Sequence, residues 1–279
     1  MSDPAEEQLP AYAVGRHAAG RLSGARPWSE GVTREWALGG STGKGVRVCV
    51  VDSGIEGGHP MVGAVQEAVA ISIQDGALVV EEDTAGDLCG HGTACAGIIR
   101  SVAPDCELGS VRVLDEGFVG SGPVLVEGLR WAIDHGYDVV NMSLSTTKRA
   151  FAEELRELVD EAYFQRSVVV ASAHNLPVVS YPWRFSSVIS VASHELGEPM
   201  LYLRNPNPPV EFFAHGVNVE IAWLDGGRIH STGNSFATPH ITGICALILA
   251  KHPHLTPFEV KTVLGLTADN AGGADEPVR

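Results

Sequence analysis

The sequence predicts an α/β fold, a mostly parallel central sheet covered by helices. Three observations predict it. Downstream of Glu107, apolar runs alternate with amphipathic stretches in a regular β-α order, the pattern of parallel strands joined by crossover helices. The strand runs are themselves apolar almost throughout, as in Val46-Arg47-Val48-Cys49-Val50-Val51, which strands buried on both faces require. No Pro/Ser-rich linker, charge block or internal repeat divides the 279 residues, 44% of which are apolar, so one large core is expected.

Residues 1 to 45 are polar and rich in Gly, Ala and Arg, with a short helix expected near Gly31 to Leu38. The first strand ends at Asp52-Ser53-Gly54-Ile55, placing a carboxylate where open α/β sheets build their sites. Cys89 to Ile99 reads as a helix opening at His91, packed with small residues. A strand over Leu108 to Leu114 follows, then the flexible loop Gly120-Ser121-Gly122 and an amphipathic helix over Val124 to His135. Asp138 to Leu144 is a strand. In the next helix, Phe151 to Tyr163, Leu155, Leu158 and Val159 face inward, while Glu153, Glu154, Glu157, Asp160 and Glu161 form a solvated face. Ser167 to Ala173 is a strand ending at His174-Asn175, Ser187 to Ala192 is another, and Val210 to Ile229 is expected to be β-rich. Behind Gly233-Asn234-Ser235, apolar residues recur at helical spacing on nearly every side, which predicts a buried helix. Pro239 falls close to its start, where a missing N–H costs least. Thr256-Pro257-Phe258-Glu259 carries a capping box with proline in the first helical position, and the polar tail from Ala268 is expected to fray.

Composition excludes several function classes. A net charge of −15 argues against nucleic-acid binding, which needs a basic face. The opening Met-Ser-Asp-Pro-Ala-Glu-Glu lacks the basic and apolar regions of a signal peptide, and no apolar run approaches the ~20 residues of a membrane span. The five cysteines are odd in number and mostly lie in apolar segments, so buried reduced thiols and a cytoplasmic location are the expectation. Cys89 and His91 lack any metal-ligand spacing, and no cofactor is expected.

Ser235 follows a glycine bend at the start of a helix, where free N–H groups and the macrodipole favour negative charge. A Ser there is ordinarily an N-cap, an Asp in Asp-Ser-Gly ordinarily caps a turn, and an isolated His is ordinarily structural. Taken together they are a nucleophile, a base and an orienting acid. A Ser hydroxyl attacks only when a neutral imidazole takes its proton, and the imidazole needs a carboxylate to fix its tautomer.

Asp52-Ser53-Gly54-Ile55, His91-Gly92-Thr93 with Cys95-Ala96-Gly97, and Gly233-x-Ser235-x-Ala237-x-Pro239-His240 resemble, in order, the three signatures of the subtilisin-like serine proteases. The resemblance runs from about Gly43 to Leu264 and implies a three-layer α/β/α subtilisin-like fold. It implies a 1–42 extension packing on a 43–267 catalytic domain, with a flexible 268–279 tail. Carried over by position, Asp52 orients His91, His91 is base then acid, Ser235 attacks, and Asn175 joins the Ser235 N–H in an oxyanion hole. Gly120, Ser121 and Gly122, with Ser143, Leu144 and Ser145, are the edges between which a peptide substrate adds as a strand. Ser172, Ala173 and His174, with Tyr181-Pro182-Trp183, are expected to wall the pocket for the residue before the cut, with a cis bond before Pro182.

Departures from the family sharpen the expectation. Asn234 stands where the family usually has Thr, and its amide could also donate to the oxyanion. His174, Ser145-Thr146 and Trp183 each replace smaller residues, so a shallow or reshaped pocket and narrow specificity are expected; the alternative is that neighbouring backbone has moved and the volume is unchanged. The long loop after the His helix, which in the family often holds calcium, is absent, so no calcium is expected there. The implied activity is that of an intracellular endopeptidase acting on peptide or protein substrates. The competing reading is a peptide-binding protein on the same scaffold whose catalysis has decayed; a metal-dependent hydrolase ranks third.

Overall fold

The structure, a computed structural model, describes residues 31–271. Most of the expected N-terminal extension and of the tail therefore lies outside the described residues.

The strands are β1 (Arg47–Asp52), β2 (Glu67–Gln74), β3 (Ala77–Glu82), β4 (Glu107–Arg112), β5 (Val139–Met142), β6 (Val168–Ser172), β7 (Ile189–His194), β8 (Tyr202–Arg204) and β9 (Phe212–His215). They form one sheet in the order β3-β2-β4-β1-β5-β6-β7-β9-β8, parallel except for the two edge strands β3 and β8. A separate antiparallel hairpin joins β10 (Val219–Trp223) to β11 (Gly227–Ser231).

Among the described residues, six α-helices accompany the strands: α1 (Arg34–Leu38), α2 (His91–Val102), α3 (Gly122–Asp134), α4 (Ala152–Phe164), α5 (Asn234–Lys251) and α6 (Pro257–Thr267). Strand alternation divides the core between the faces of the sheet. Cys49, Val51, Val111, Val140 and Val169 pack with Leu129 and Ile133 of α3 and with Leu155 and Val159 of α4. The long helix α5, buried from Ser235 to Leu249, lies with α2 on the other face. The result is the three-layer α/β/α arrangement.

Register decides where the site can form. Val50 pairs with Asn141 and Asn141 with Val170, so two residues further on Asp52, Ser143 and Ser172 share one row at the carboxyl ends of β1, β5 and β6.

Several boundaries differ from expectation. The β2–β3 hairpin was not anticipated, although Asp75 and Gly76, both with positive φ, make the two-residue turn that a hairpin favours. The start of the expected tail is tied down. The Asp269 N–H donates to the Tyr202 carbonyl and its Oδ2 accepts from the Tyr202 N–H, while the Asn270 side chain accepts from the Arg204 N–H and donates to the Arg204 carbonyl, covering the edge of β8. Helix α1 packs against the end of α5, where Trp36 stacks on His252 at 3.9 Å and Lys251 Nζ caps the Glu35 and Gly39 carbonyls. Thr256 and Glu259 form the expected capping box, and the Tyr181–Pro182 bond is cis. All five cysteines are free, four of them buried.

Candidate active site

Asp52 is the last residue of β1 and wholly buried. Its Oδ1 accepts from the Ser53 N–H at 2.8 Å and meets His91 Nδ1 at 2.8 Å. His91 opens α2, and Gly92 allows that helix to come so close. A Cβ on Gly92 would stand 2.0 Å from the Gly54 carbonyl oxygen and 3.2 Å from Asp52 Cβ. The spacing His-Gly-Thr is therefore a packing requirement of the Asp52–His91 contact.

Burial pulls the His91 pKa down more than any other single influence. The Asp52 charge, the hydrogen bond to it and the Asp87 charge together outweigh that pull, and the pKa is raised. With Asp52 holding Nδ1, the other ring nitrogen of neutral His91 is left as the acceptor.

Helix α5 has Gly233 as its N-cap, so Ser235 is its second residue and its N–H has no intrahelical acceptor. Asn175, just past the end of β6, accepts from the Asn234 N–H through Oδ1 at 2.9 Å, which leaves Nδ2 free to donate elsewhere. A Cβ built on Gly233 would lie 3.1 Å from Ser235 Oγ and 3.6 Å from Asn175 Nδ2, so both atoms border the same space. His91 and Ser235 both border the cleft, with no hydrogen bond within 3.5 Å between the ring and Ser235 Oγ.

A cleft of about 380 Å³ gathers His91, Asn175 and Ser235. Gly120, Ser121 and Gly122 line it on one side, and Ser143, Leu144 and Ser145 on another; Ser172, Ala173 and His174 complete the wall. Asp52 stands behind His91, outside the cleft surface.

Two expectations are corrected. Trp183 does not wall the pocket: it is buried in the α3–α4 core and donates from Nε1 to Ser180 Oγ at 2.8 Å. Asn234 does not offer its amide to the oxyanion position. Its Nδ2 donates to the carbonyls of Ala173 and His174, and its Oδ1 accepts from the Ser193 N–H, so it pins α5 to the ends of β6 and β7.

Sequence reading missed two residues, Phe118 and Asp87, and a second role for Ser143. Phe118 packs edge-on to the His91 ring at 4.7 Å and lines the cleft; only its place in the loop after β4 hinted at this. Asp87 ties together the loops behind His91. Ser143 Oγ donates to the Ser235 carbonyl at 2.8 Å, a bond between residues 92 positions apart that no local pattern announces.

Asp52, His91 and Cys95 each present a potential ligand atom within 4.8 Å of the others. The set does not suit a metal. His91 Nδ1 and Asp52 are already engaged with each other, and burial pushes the Cys95 thiol well above its ordinary pKa, away from the thiolate a metal needs.

Residues 43–278 match the family described as the Subtilase family. The chain belongs to the subtilase family. This subtilase is 32% identical over 248 residues to Subtilisin DY of Bacillus licheniformis, covering 84% of this chain and 87% of that protein. It is 33% identical over 253 residues to a subtilisin of Bacillus pumilus, covering 84% and 88%. Subtilisin E of Bacillus subtilis strain 168 is also 33% identical over 253 residues, but the chain spans only 63% of it. Among solved structures, a cold-adapted subtilisin-like serine proteinase superposes with a TM-score of 0.69 at 27% identity, over 85% of this chain and 86% of that one. Membership makes this subtilase a hydrolase of the serine endopeptidase class.

Proposed function

We propose that this subtilase is a narrow-specificity endopeptidase that works through an acyl-enzyme on Ser235. The observation that carries the reading is the buried 2.8 Å Asp52–His91 contact beside a cleft shared by His91, Ser235 and Asn175. Neutral His91 takes the Ser235 proton as Oγ attacks the scissile carbonyl, and Asp52 stabilises the imidazolium that forms. The developing oxyanion takes hydrogen bonds from the Ser235 N–H and Asn175 Nδ2. His91 then protonates the leaving amine. Water, deprotonated by the same imidazole, releases the acid and restores Ser235.

The substrate adds as a strand between Gly120–Gly122 and Ser143–Ser145, with alternate side chains pointing to opposite sides. His174 and Ser145-Thr146 narrow the wall that receives the residue before the cut. Narrow cleavage rests on them alone, since Trp183 lies elsewhere. Five unpaired thiols support a reducing compartment, hence a cytoplasmic, intracellular processing role. Cell fractionation that places the protein outside the cytoplasm would refute that placement.

Labelling with a fluorophosphonate probe is the test. The wild type should label at Ser235 and lose both labelling and peptide hydrolysis in Ser235→Ala. Asn175→Ala should lower kcat on the order of 10²–10³, a magnitude carried over from subtilisin itself. A folded wild type that binds peptides without labelling would instead support the decayed, peptide-binding reading. Rapid digestion of casein at many kinds of residue would contradict narrow specificity.

A further inference from the structure

We propose that Asp87 is a positioning residue for the His91 base, a single carboxylate joining the strand end that carries Asp52 to the helix end that carries His91. The inference rests on the assignment of His91 as base.

The N-cap of helix α2 is Gly90, which has no side chain to cap the first turn. Asp87 supplies the acceptors instead. Its Oδ2 accepts from the Thr93 N–H at 2.8 Å and from Thr93 Oγ1 at 2.6 Å, while Oδ1 accepts from the N–H groups of Cys89 and Gly90 at 3.0 and 2.8 Å. Oδ1 also accepts from Ser53 Oγ at 2.8 Å, and that hydroxyl in turn accepts from the Gly92 N–H at 2.9 Å. Ser53 is the neighbour of Asp52, and Gly92 the neighbour of His91. The 2.8 Å contact between base and acid is thus spanned by a second chain, Gly92–Ser53–Asp87–Thr93, that fixes both backbones.

A negative charge at a helix N-terminus is favourable in itself. Here its placement also reaches the imidazole, because the titratable groups facing His91 are few. Asp52 faces it from β1, Cys95 from the next turn of α2, and Cys89 and Asp87 from the preceding loop; both thiols have raised pKa values and are neutral. The Phe118 and Phe236 rings close the other sides without charge. Among the described residues, Asp87 is therefore the anion besides Asp52 that favours imidazolium, the state in which His91 holds the Ser235 proton.

Asp87→Asn keeps the shape and removes the charge and an acceptor. It should lower kcat on the order of 10- to 100-fold with little change in KM, and move the acid limb of kcat/KM down by about half a pH unit. Ser53→Ala breaks the link and keeps the charge, so it should lower kcat and leave the acid limb in place. A folded Asp87→Asn with wild-type kcat and acid limb would overturn the proposal. If that variant does not fold, Ser53→Ala with unchanged kcat would overturn it. If the wild type neither labels nor hydrolyses, the endopeptidase reading fails first. The positioning role is then read by NMR titration of the His91 ring, which should lose protons at lower pH in Asp87→Asn; an unshifted titration overturns it.

Discussion

Pro239 lies in the sixth position of α5 and has no N–H, so the carbonyl four residues back, that of Ser235, loses its intrahelical donor. Ser143 Oγ replaces that donor at 2.8 Å, with the Cys95 thiol a weaker second at 3.7 Å. Asn141 Nδ2 donates to Ser143 Oγ, and Thr242 Oγ1 donates to Asn141 Oδ1, closing a buried network that grips the nucleophile's own backbone. Ser143→Ala should cost about 1–3 kcal/mol of stability in urea unfolding, the penalty of an unpaired buried acceptor, and should lower kcat more than it raises KM. An unchanged kcat would mean the grip does not matter to the chemistry. The raised His91 pKa makes a second prediction. Hydrolysis requires neutral imidazole, so kcat/KM should fall as pH drops, with its midpoint above 6.5, the ordinary histidine value. A profile flat from about pH 5 to 8 would remove His91 from the role of base. At this scale the sequence was readable where glycine spacing reports close packing, as at His91-Gly92. It was silent where the partner is distant in the chain, as for Ser143, and misleading where a side chain could face two ways, as for Asn234.

Among elements, the long strands and helices were legible because β1, β5 and β6 are apolar on both faces and α3, α4 and α6 carry clear stripes or caps. The edge pieces were not. Most of β3 is exposed and β8 has three residues, so neither produces a burial pattern. The turn after β4 is another such piece, and it matters to the site. Asp115 Oδ1 accepts from the Gly117 and Val119 N–H groups at 2.9 Å each, and this holds Phe118 at φ +60° with its ring against His91. In the proposed strand-like pose, a substrate side chain that alternates away from the pocket would meet this ring beside the imidazole. Phe118→Ala should therefore raise kcat/KM for peptides with bulky residues second before the cut, on the order of 10-fold relative to those with glycine there. A peptide library varied at that position measures it, and identical preferences in the two proteins would show that the ring does not screen the substrate.

For the molecule as a whole, parallel β-α order places Asp52 at the carboxyl end of the sheet, where such sheets collect their functional residues, but only the resemblance of the three motifs to the subtilisin-like signatures predicts that His91 and Ser235 meet it there. What neither reveals is a titratable side chain buried in the core just behind the nucleophile. His240 of α5 is buried with neither ring nitrogen paired among the described residues, and His215 lies 5.7 Å away with a buried, unpaired Nδ1. Burial, then the positive charge His215 and His194 would carry, lowers the His240 pKa to about 3. The unfolded chain takes up this proton near pH 6.5 and the folded chain does not. Stability is therefore fully present above 6.5 and is lost as pH falls towards about 3. His91 acts with the opposite sign. Its raised pKa contributes stability that is complete below about 6.5 and lost at higher pH, so it does not offset the acid loss. His215, whose pKa is also lowered, adds to the loss. Unfolding free energy from urea titrations should drop by at least about 1 kcal/mol between pH 6.5 and 5, approaching ~1.4 kcal/mol per pH unit from His240. His240→Leu removes the group that titrates and should flatten that slope, while a slope unchanged from wild type would assign the acid sensitivity to other residues.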